Sequence, residues 1–179
     1  MKSALASLKP YYYYLVGEDI KKIEVRKSEP KADDWNRETY FYMSKDEKSF
    51  AKIPKEYQDK YRKHFGKVGL KFVCDRIDTF MVCRNGAVRY RNCYDLEKSC
   101  LTYNEISNYV GKGKFGYAWY ISDLKIYDKP KDLSEFRKCC HGIGKCSNCL
   151  DNVYWGGNCD GGAIEKAPQS WGYCKELEK

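Results

Sequence analysis

The sequence has no long hydrophobic run, which argues against a membrane protein built from helices. None of its apolar stretches approaches the ~20 residues that an α-helix needs to cross a bilayer. Residues 1–9 hold no apolar core behind Lys2, so we expect no signal peptide and a cytoplasmic protein without membrane contact. Histidine is scarce, with two residues, and no Ser-His-Asp or Cys-His catalytic pair can be argued from the sequence.

The chain does contain enough apolar and aromatic residues for one packed domain. Its 179 residues are 42% hydrophobic and 16% aromatic, which argues against global disorder. The formal charge is +8, and the positive excess lies before residue 139. A basic surface suits a polyanion such as nucleic acid, although it can equally bind an acidic protein. We expect a monomer.

Ten cysteines are present, and six of them lie in residues 139–179. Without an export signal, clustered cysteine favours metal over disulfides, and the Cys-x2-Cys spacing is that of zinc knuckles. The surrounding glycines supply almost no core, so such a segment needs a staple. Free thiols on a loop are the alternative. We predict structural zinc on Cys140, Cys146, Cys149 and Cys159, with Cys139 or His141 as substitutes.

Apolar spacing, caps and glycines predict four short helices. Pro10 suits a first turn, and the helix it begins continues to Gly17. A second helix follows Pro54, with aromatic residues at i, i+4 and i+8 on one face. Residues 102–105 form a capping box before a third helix that ends at Gly111. A final short helix is predicted over residues 130–137.

Alternating and β-branched segments predict strands between these helices. In residues 22–27, Ile23 and Val25 should point to the core, and Lys22, Glu24 and Arg26 to the other face. Further strands are predicted over residues 39–43, 68–74 and 115–127, and a hairpin turns at Asn85-Gly86. Short strands mixed with short helices, without a βαβ rhythm, indicate α+β or a partly closed β-barrel.

Several of these segments together resemble the ASCH domain. Ser7-Leu8-Lys9-Pro10, Gly17 and Lys21–Arg26 resemble its opening signature, while Gly66–Asp75 and Gly116–Leu133 resemble its later strands. Pro168–Trp171 resembles the closing strand of a phage- and prophage-associated subset found in Gram-positive bacteria. The resemblance implies a PUA-like small β-barrel with helices packed at its openings. It also implies RNA binding, nucleobase recognition or hydrolysis of acylated cytidines.

The resemblance divides the chain into a barrel domain over residues 1–138, a Cys-rich insertion over 139–165 and a closing strand over 166–179. The chain departs from the family pattern after Gly17, where Glu18-Asp19-Ile20 lengthens the spacer. In the amidohydrolase members a lysine, a nearby threonine and a distant glutamate form the site. Lys21 can stand for the lysine, Glu24 occupies the threonine position, and the distant glutamate is not placed.

The candidate site is centred on the strand at residues 22–27. A desolvated Lys21 could act as nucleophile or proton shuttle, with Glu24 beside it; the alternative is a solvated lysine at a strand entrance. Arg26 could grip a phosphate or carbonyl, and Glu24 could accept a base amino group; the alternative is an ordinary ion pair. Three aromatic residues could stack on a base or simply pack in the core, namely Tyr117, Trp119 and Trp171.

Basic residues also line the predicted hairpin and the Gly-Lys-Gly-Lys loop after it. Arg84, Arg89 and Arg91 suit phosphate contacts, with a solvated edge hairpin as the alternative. Lys112 and Lys114 add charge without the spacing of a P-loop. We therefore hypothesise a protein that binds RNA or a modified nucleotide. The alternatives are an amidohydrolase acting on a modified cytidine and a phage module that binds a host defence protein.

Overall fold

The computed structural model describes residues 2–31, 35–90, 96–139 and 161–177. The helices are α1 (Pro10–Gly17), α2 (Glu47–Phe50), α3 (Lys55–Arg62) and α4 (Tyr103–Val110). The strands are β1 (Lys2–Leu8), β2 (Ile23–Arg26), β3 (Trp35–Met43), β4 (Val68–Val73), β5 (Ile77–Val82), β6 (Val88–Tyr90), β7 (Lys114–Tyr120), β8 (Ser122–Lys131), β9 (Phe136–Lys138), β10 (Gly161–Ala163) and β11 (Trp171–Glu176). Short 3-10 turns cover Leu96–Ser99 and Leu133–Glu135.

The strands form two sheets. A seven-stranded sheet has the order β10-β9-β11-β1-β3-β4-β8, and a four-stranded sheet has the order β2-β7-β5-β6. The mixed α+β class predicted from the sequence is confirmed. The small β-barrel that the resemblance implies is not closed: among the described residues, both sheets are open, with β10 and β8 as the outer strands of one and β2 and β6 of the other.

Strand β1 occupies the centre of the larger sheet and was not among the predicted strands. It runs parallel to β3 and antiparallel to β11, with Ala6 opposite both Phe41 and Trp171. Its alanines have weak strand propensity, so the sequence signal is poor. They are fully buried in the main core, where small side chains allow large aromatic neighbours to pack.

The run predicted as one strand over residues 115–127 is two strands in different sheets. β7 pairs with β2 and β5, whereas β8 pairs with β4 of the larger sheet. The chain changes sheet around Ile121, and Asp123 has a positive φ of 46° there. The helix predicted over residues 130–137 is wrong. Strand β8 continues to Lys131, and after one 3-10 turn the buried Phe136 starts β9.

Other predicted elements are confirmed. α1 begins at Pro10, and α4 carries the full capping box, with Thr102 and Glu105 bonded to each other's backbone N–H. The hairpin pairs Val82 with Val88 across Asn85-Gly86, where Gly86 has φ of 87°. Local sequence signals therefore suffice to locate these elements in the chain.

Helices α1 and α3 meet at a polar cluster, the helix cluster, formed by Tyr13, His64, Tyr61 and Glu18. The Tyr13 hydroxyl lies 3.1 Å from Nδ1 of His64, and both residues are at most 1% exposed. The Tyr61 hydroxyl donates to Oε1 of Glu18 at 2.6 Å. Gly69 makes room for the ring, because a Cβ there would lie 1.9 Å from Nδ1 of His64.

Candidate functional site

Strand β2 is buried on both faces. Ile23 and Val25 pack in a small core that includes Ile106 of α4. The opposite face carries Glu24 and Arg26, which are 7% and 3% exposed. The predicted alternation is confirmed, but the polar face does not point into solvent. It points towards the larger sheet, so its charges are largely desolvated.

Lys21, Glu24 and Arg26 form a continuous ion chain. Nζ of Lys21 lies 3.3 Å from Oε2 of Glu24, and Oε1 of Glu24 lies 3.0 Å from Nε of Arg26. Nζ also donates to the Ser99 carbonyl at 2.5 Å. Lys21 is 1% exposed, so the structure places it inside the protein rather than at a solvated strand entrance. One carboxylate thus serves two buried cations.

Arg26 connects β2 to two distant segments. Its two terminal nitrogens donate to the carbonyls of Ser170 and Ser7, each at 2.9 Å. Nε forms an ion pair with Glu24 but has no aligned hydrogen-bond acceptor among the described residues. The guanidinium therefore uses one N–H of each terminal nitrogen, and its ion pair with Glu24, to hold the site together.

Burial lowers the pKa of Lys21 below its ordinary value, because the interior disfavours the charged ammonium. The neighbouring Glu24 opposes this shift, and Arg26 adds to it. A lysine with a lowered pKa can exchange a proton or attack a carbonyl more readily than a solvated one. Burial thus shifts the pKa of Lys21 in the direction that favours nucleophile chemistry.

A cleft of about 320 Å³ opens above the ion chain. Its walls come from the end of β1, from α1, from β2, from the segment around α4 and from the loop before β11. Twelve residues line it: Ser7, Leu8, Lys9, Tyr12, Lys21, Glu24, Val25, Arg26, Leu101, Glu105, Tyr109 and Gln169. Charged groups therefore form its floor, and two tyrosines stand in its walls.

Tyr12 and Glu105 connect the walls on either side of the cleft. The Tyr12 hydroxyl donates to Oε1 of Glu105 at 3.4 Å, while Oε2 accepts from the backbone N–H and hydroxyl of Thr102. Those bonds from Thr102 lower the pKa of Glu105. Burial, followed by the charge of Glu105, raises the pKa of Tyr12. Glu105 thus stays ionised, and Tyr12 stays a neutral hydrogen-bond donor.

The open edge of β2 presents backbone groups to the cleft. The N–H of Tyr120 donates to the carbonyl of Arg76, on the edge of β7 that faces β5. The N–H of Ile121 donates to the carbonyl of Lys22, on the edge that faces β2. Successive residues of a strand direct their N–H and C=O groups to opposite edges, so Glu24 and Arg26 bond to β7. The N–H and C=O of Val25 consequently face the cleft, although its side chain is buried in the second core.

The predicted stacking residues lie elsewhere. Trp119 is fully buried, with its ring centroid 5.9 Å from that of Trp35 and 5.6 Å from that of Trp171. Tyr117 is half-buried, and Nε1 of Trp171 donates to Ser28. None of the three predicted aromatics lines the cleft. Its tyrosines are Tyr12 and Tyr109.

Sequence reasoning missed both cleft tyrosines for one reason. Tyr12 lies in a run of four tyrosines on α1, and Tyr109 lies on α4 beside Ile106 and Val110. Each looked like part of a helix's apolar face. The distant glutamate was also unplaced, and the structure brings Glu105 into the same cleft as Lys21. Its only sequence signal was its place in the capping box.

The predicted zinc ligands Cys140, Cys146, Cys149 and Cys159 lie outside the described residues, as do His141 and Arg91. Cys139 is described and is buried. Within residues 2–31, 35–90, 96–139 and 161–177, no three His, Cys, Asp or Glu side chains gather as a metal site. Zinc on the cysteine segment stays a prediction. The same described part of the chain has no helix with the length and hydropathy of a membrane span.

Crystal structures of an ASCH protein from Zymomonas mobilis are similar to this chain. One aligns over 99% of this chain and 89% of that chain, with a TM-score of 0.53 and 15% sequence identity. This chain has the ASCH fold. A tyrosine-to-phenylalanine variant of the same protein aligns over 100% and 92%, at a TM-score of 0.52 and 14% identity.

A serine-to-alanine variant of the Zymomonas protein aligns over 99% and 89%, with a TM-score of 0.52 and 15% identity. No protein-family model and no curated protein sequence matches the chain. The similarity therefore supports the ASCH fold and leaves the chemistry to be argued from the cleft itself.

Proposed function

We propose that the cleft above the ion chain binds a nucleotide, as a free molecule or as part of RNA. The observation that carries this proposal is the buried chain Lys21–Glu24–Arg26 forming the floor of a cleft walled by tyrosines. Buried charges cost several kcal/mol each in desolvation, so a purely structural role is better filled by apolar residues. Charges kept beside an open cleft are suited to a polar ligand.

A base would be held by stacking and by edge contacts. Tyr12 and Tyr109 offer aromatic faces, and stacking of this kind contributes about 1–3 kcal/mol per base. Val25 offers a neighbouring N–H donor and C=O acceptor, which together match the alternating groups on the edge of a base such as cytosine. Glu24 can accept from an exocyclic amino group.

The phosphate would be held by lysines at the mouth of the cleft. Lys9 lines the cleft, is exposed and forms no ion pair with a described residue. Nζ of Lys27 lies 5.0 Å from the centroid of the Tyr109 ring, at the same wall. This assignment moves the phosphate contact from Arg26, whose nitrogens are engaged, to flexible side chains outside the floor.

Calorimetric titration with cytidine monophosphate tests the binding proposal. Tyr12→Ala should weaken binding by roughly five- to a hundredfold if the ring stacks on the base, and Tyr12→Phe should retain most of it. Tyr103→Ala is the matched control, since Tyr103 is 60% exposed on α4 and does not line the cleft. Equal affinities for Tyr12→Ala and Tyr103→Ala would contradict the proposal.

Val25→Pro tests the backbone contact. Proline lacks an N–H, and an edge strand tolerates it where the missing donor faces away from the sheet. We expect the variant to fold and to lose affinity for cytidine monophosphate. A folded Val25→Pro protein that binds normally would exclude base recognition by this strand edge.

Lys21 favours a second candidate, hydrolysis of an acylated cytidine. Its pKa is lowered by burial, and the carboxylates of Glu24 and Glu105 line the same cleft. Turnover of a panel of acylated cytidines, followed by mass spectrometry, should be lost in Lys21→Ala if the amine takes part in the chemistry. Turnover that survives in a folded Lys21→Ala protein would exclude that role.

A phage module that binds a host protein is the third candidate, and salt dependence separates it from nucleotide binding. Phosphate contacts weaken steeply as salt rises, whereas an apolar protein interface does not.

We also propose that Cys140, Cys146, Cys149 and Cys159 hold a structural zinc ion, since four thiolates close its coordination sphere. A chelator that removes bound metal without lowering the melting temperature would contradict this.

A further inference from the structure

The face of the four-stranded sheet that carries Glu24 and Arg26 ends in an exposed aromatic residue in register with a cation. Met81 on β5 lies opposite Arg89 on β6 and Phe115 on β7. Directly opposed residues project from the same face, so these three side chains form one row. Arg89 is exposed, and Phe115 is 58% exposed. We name this row the sheet platform.

The platform continues from the core to the surface along β7. Trp119, Tyr117 and Phe115 alternate along that strand, so they share one face. Trp119 is fully buried, Tyr117 is half-buried and Phe115 is the most exposed of the three. The opposite face of the sheet is covered by α4 and the second core. Phe115 is therefore the outermost ring of an aromatic series anchored in the main core.

Arg89 is the cation in register with Phe115, and three further cations lie in and beside the turns at the end of the same strands. Residues 79–90 and 106–122 contain no Asp or Glu, and they carry Arg84, Arg89, Lys112 and Lys114. None of these four cations forms an ion pair with a described residue. The two turns lie together, since Arg84 approaches within 3.9 Å of the Cβ position of Gly113 and Lys112 within 3.7 Å of that of Gly86.

We propose that the sheet platform binds single-stranded nucleic acid, as a surface separate from the cleft. An exposed ring accepts an unpaired base whatever its sequence, and neighbouring cations neutralise the flanking phosphates. A duplex would leave Phe115 without a partner, because its bases already stack on one another. An acidic protein surface would use the cations alone. The proposal stands on its own residues and holds even if the cleft binds another ligand.

Fluorescence anisotropy with a short labelled oligouridylate tests the platform. Phe115→Ala should weaken binding by roughly 5- to 100-fold, and Phe115→Trp should restore it, because either ring can stack. Arg89→Gln should reduce the salt slope of log affinity by about one. Both positions are exposed, so the variants should melt like the wild-type protein.

Two controls match these variants. Tyr103→Ala removes an equally exposed ring, and Lys125→Gln removes an exposed cation from β8 in the other sheet. The proposal is overturned if the wild-type protein does not bind the oligonucleotide, or if the platform variants bind like the controls. A competition with polyglutamate gives a further test. If polyglutamate displaces the oligonucleotide equally well from the wild-type protein and from Phe115→Ala, the ring does not contribute to binding; this outcome also overturns the proposal and indicates an acidic protein partner.

The cleft and the platform are distinguished in the same protein. Phe115→Ala should bind cytidine monophosphate normally while it loses the oligonucleotide, and Tyr12→Ala should lose the mononucleotide. If Phe115→Ala does not change oligonucleotide binding, the platform proposal is wrong and the cleft proposal is unaffected.

Discussion

Two buried polar clusters in this protein meet the cost of desolvation in different ways. In the helix cluster, His64 is buried against Tyr13, and burial lowers its pKa to about 4. The ring is therefore neutral at physiological pH, and its Nδ1 shares a hydrogen bond with the tyrosine hydroxyl. In the ion chain, Lys21, Glu24 and Arg26 remain opposed charges with 1%, 7% and 3% exposure.

The difference separates a cluster that the fold alone explains from the one on which the proposed ligand site rests. A neutral hydrogen-bonded pair is the less costly way to fill an interior, because no charge is removed from water. None of the residues of the helix cluster lines the cleft above the ion chain. The ion chain keeps its charges at greater cost, and it is the cluster that a ligand can reach.

The largest expected effect comes from breaking the ion chain. Glu24→Gln leaves Lys21 and Arg26 buried without a counter-charge, which costs about 3–5 kcal/mol of unfolding free energy. Lys21 can limit the loss by releasing its proton, so the destabilisation should increase as the pH falls. Urea unfolding across a pH series measures the loss of unfolding free energy and its dependence on pH. Destabilisation below 1 kcal/mol at neutral pH would show that the ion chain is solvated.

Replacing all three residues of the ion chain by apolar residues tests whether their charges serve the fold or the ligand. Lys21→Met, Glu24→Leu and Arg26→Met together should fold with roughly wild-type stability, because apolar packing often matches a buried ion network. The triple variant should not bind cytidine monophosphate. Retained binding would mean that the charges serve the fold and not the ligand.

The helix cluster should also make the stability of the protein depend on pH, through a histidine that is neutral in the folded state. Unfolded His64 takes up a proton near pH 6.5, whereas the folded residue resists it until about pH 4. The unfolded state therefore binds more protons in this window, and stability falls as the pH drops from 6.5 to 4 by about 3 kcal/mol. Lys60 and Lys63 add to the effect by repelling the proton.

His64→Gln is the control for that titration. It should be less stable at neutral pH, because the Tyr13 contact changes, but its stability should be nearly flat between pH 6.5 and 5. An unchanged slope in His64→Gln would assign the effect to carboxylates instead, with Glu18 as the nearest, since its own pKa is lowered.

The packing of the helix cluster gives a smaller effect. Gly69→Ala brings a methyl group within 1.9 Å of Nδ1 of His64 and 2.6 Å of the Tyr13 hydroxyl. Forcing these rings apart should cost about 1–3 kcal/mol. Gly172→Ala is the matched strand control, because nothing lies within 4 Å of its added Cβ, and it should be neutral. Thermal unfolding of both variants decides; equal melting temperatures would contradict the contact.

The smallest effect concerns the cleft wall. Thr102→Ala removes the N-cap of α4 and should cost about 1 kcal/mol. It also removes the hydroxyl that donates to Glu105, while the backbone N–H of residue 102, the first cause of the lowered pKa of Glu105, stays in place. We expect the pKa of Glu105 to rise towards its ordinary value, which NMR titration measures. An unchanged pKa would show that the backbone bond alone is sufficient.

The sequence predicted the parts of the site that depend on local order. The alternation of residues 22–27 identified Glu24 and Arg26, and the Thr102–Glu105 box identified α4. The burial of Arg26 could not be predicted, because its acceptors Ser7 and Ser170 are brought together only by tertiary pairing of β1 and β11. That Tyr117, Trp119 and Trp171 lie outside the cleft could not be predicted, because an aromatic residue on a strand does not reveal which face is covered.

The carbonyls that hold Arg26 have a consequence for how the protein is made. Ser170 lies 144 residues beyond Arg26 in the chain, yet it completes the floor of the cleft together with Ser7. During synthesis, β1 can pair with β3 as soon as both have left the ribosome, but its other edge stays open until β11 emerges. A nascent or truncated chain therefore has an unfinished cleft, and the proposed ligand site is complete only after β11 has paired with β1.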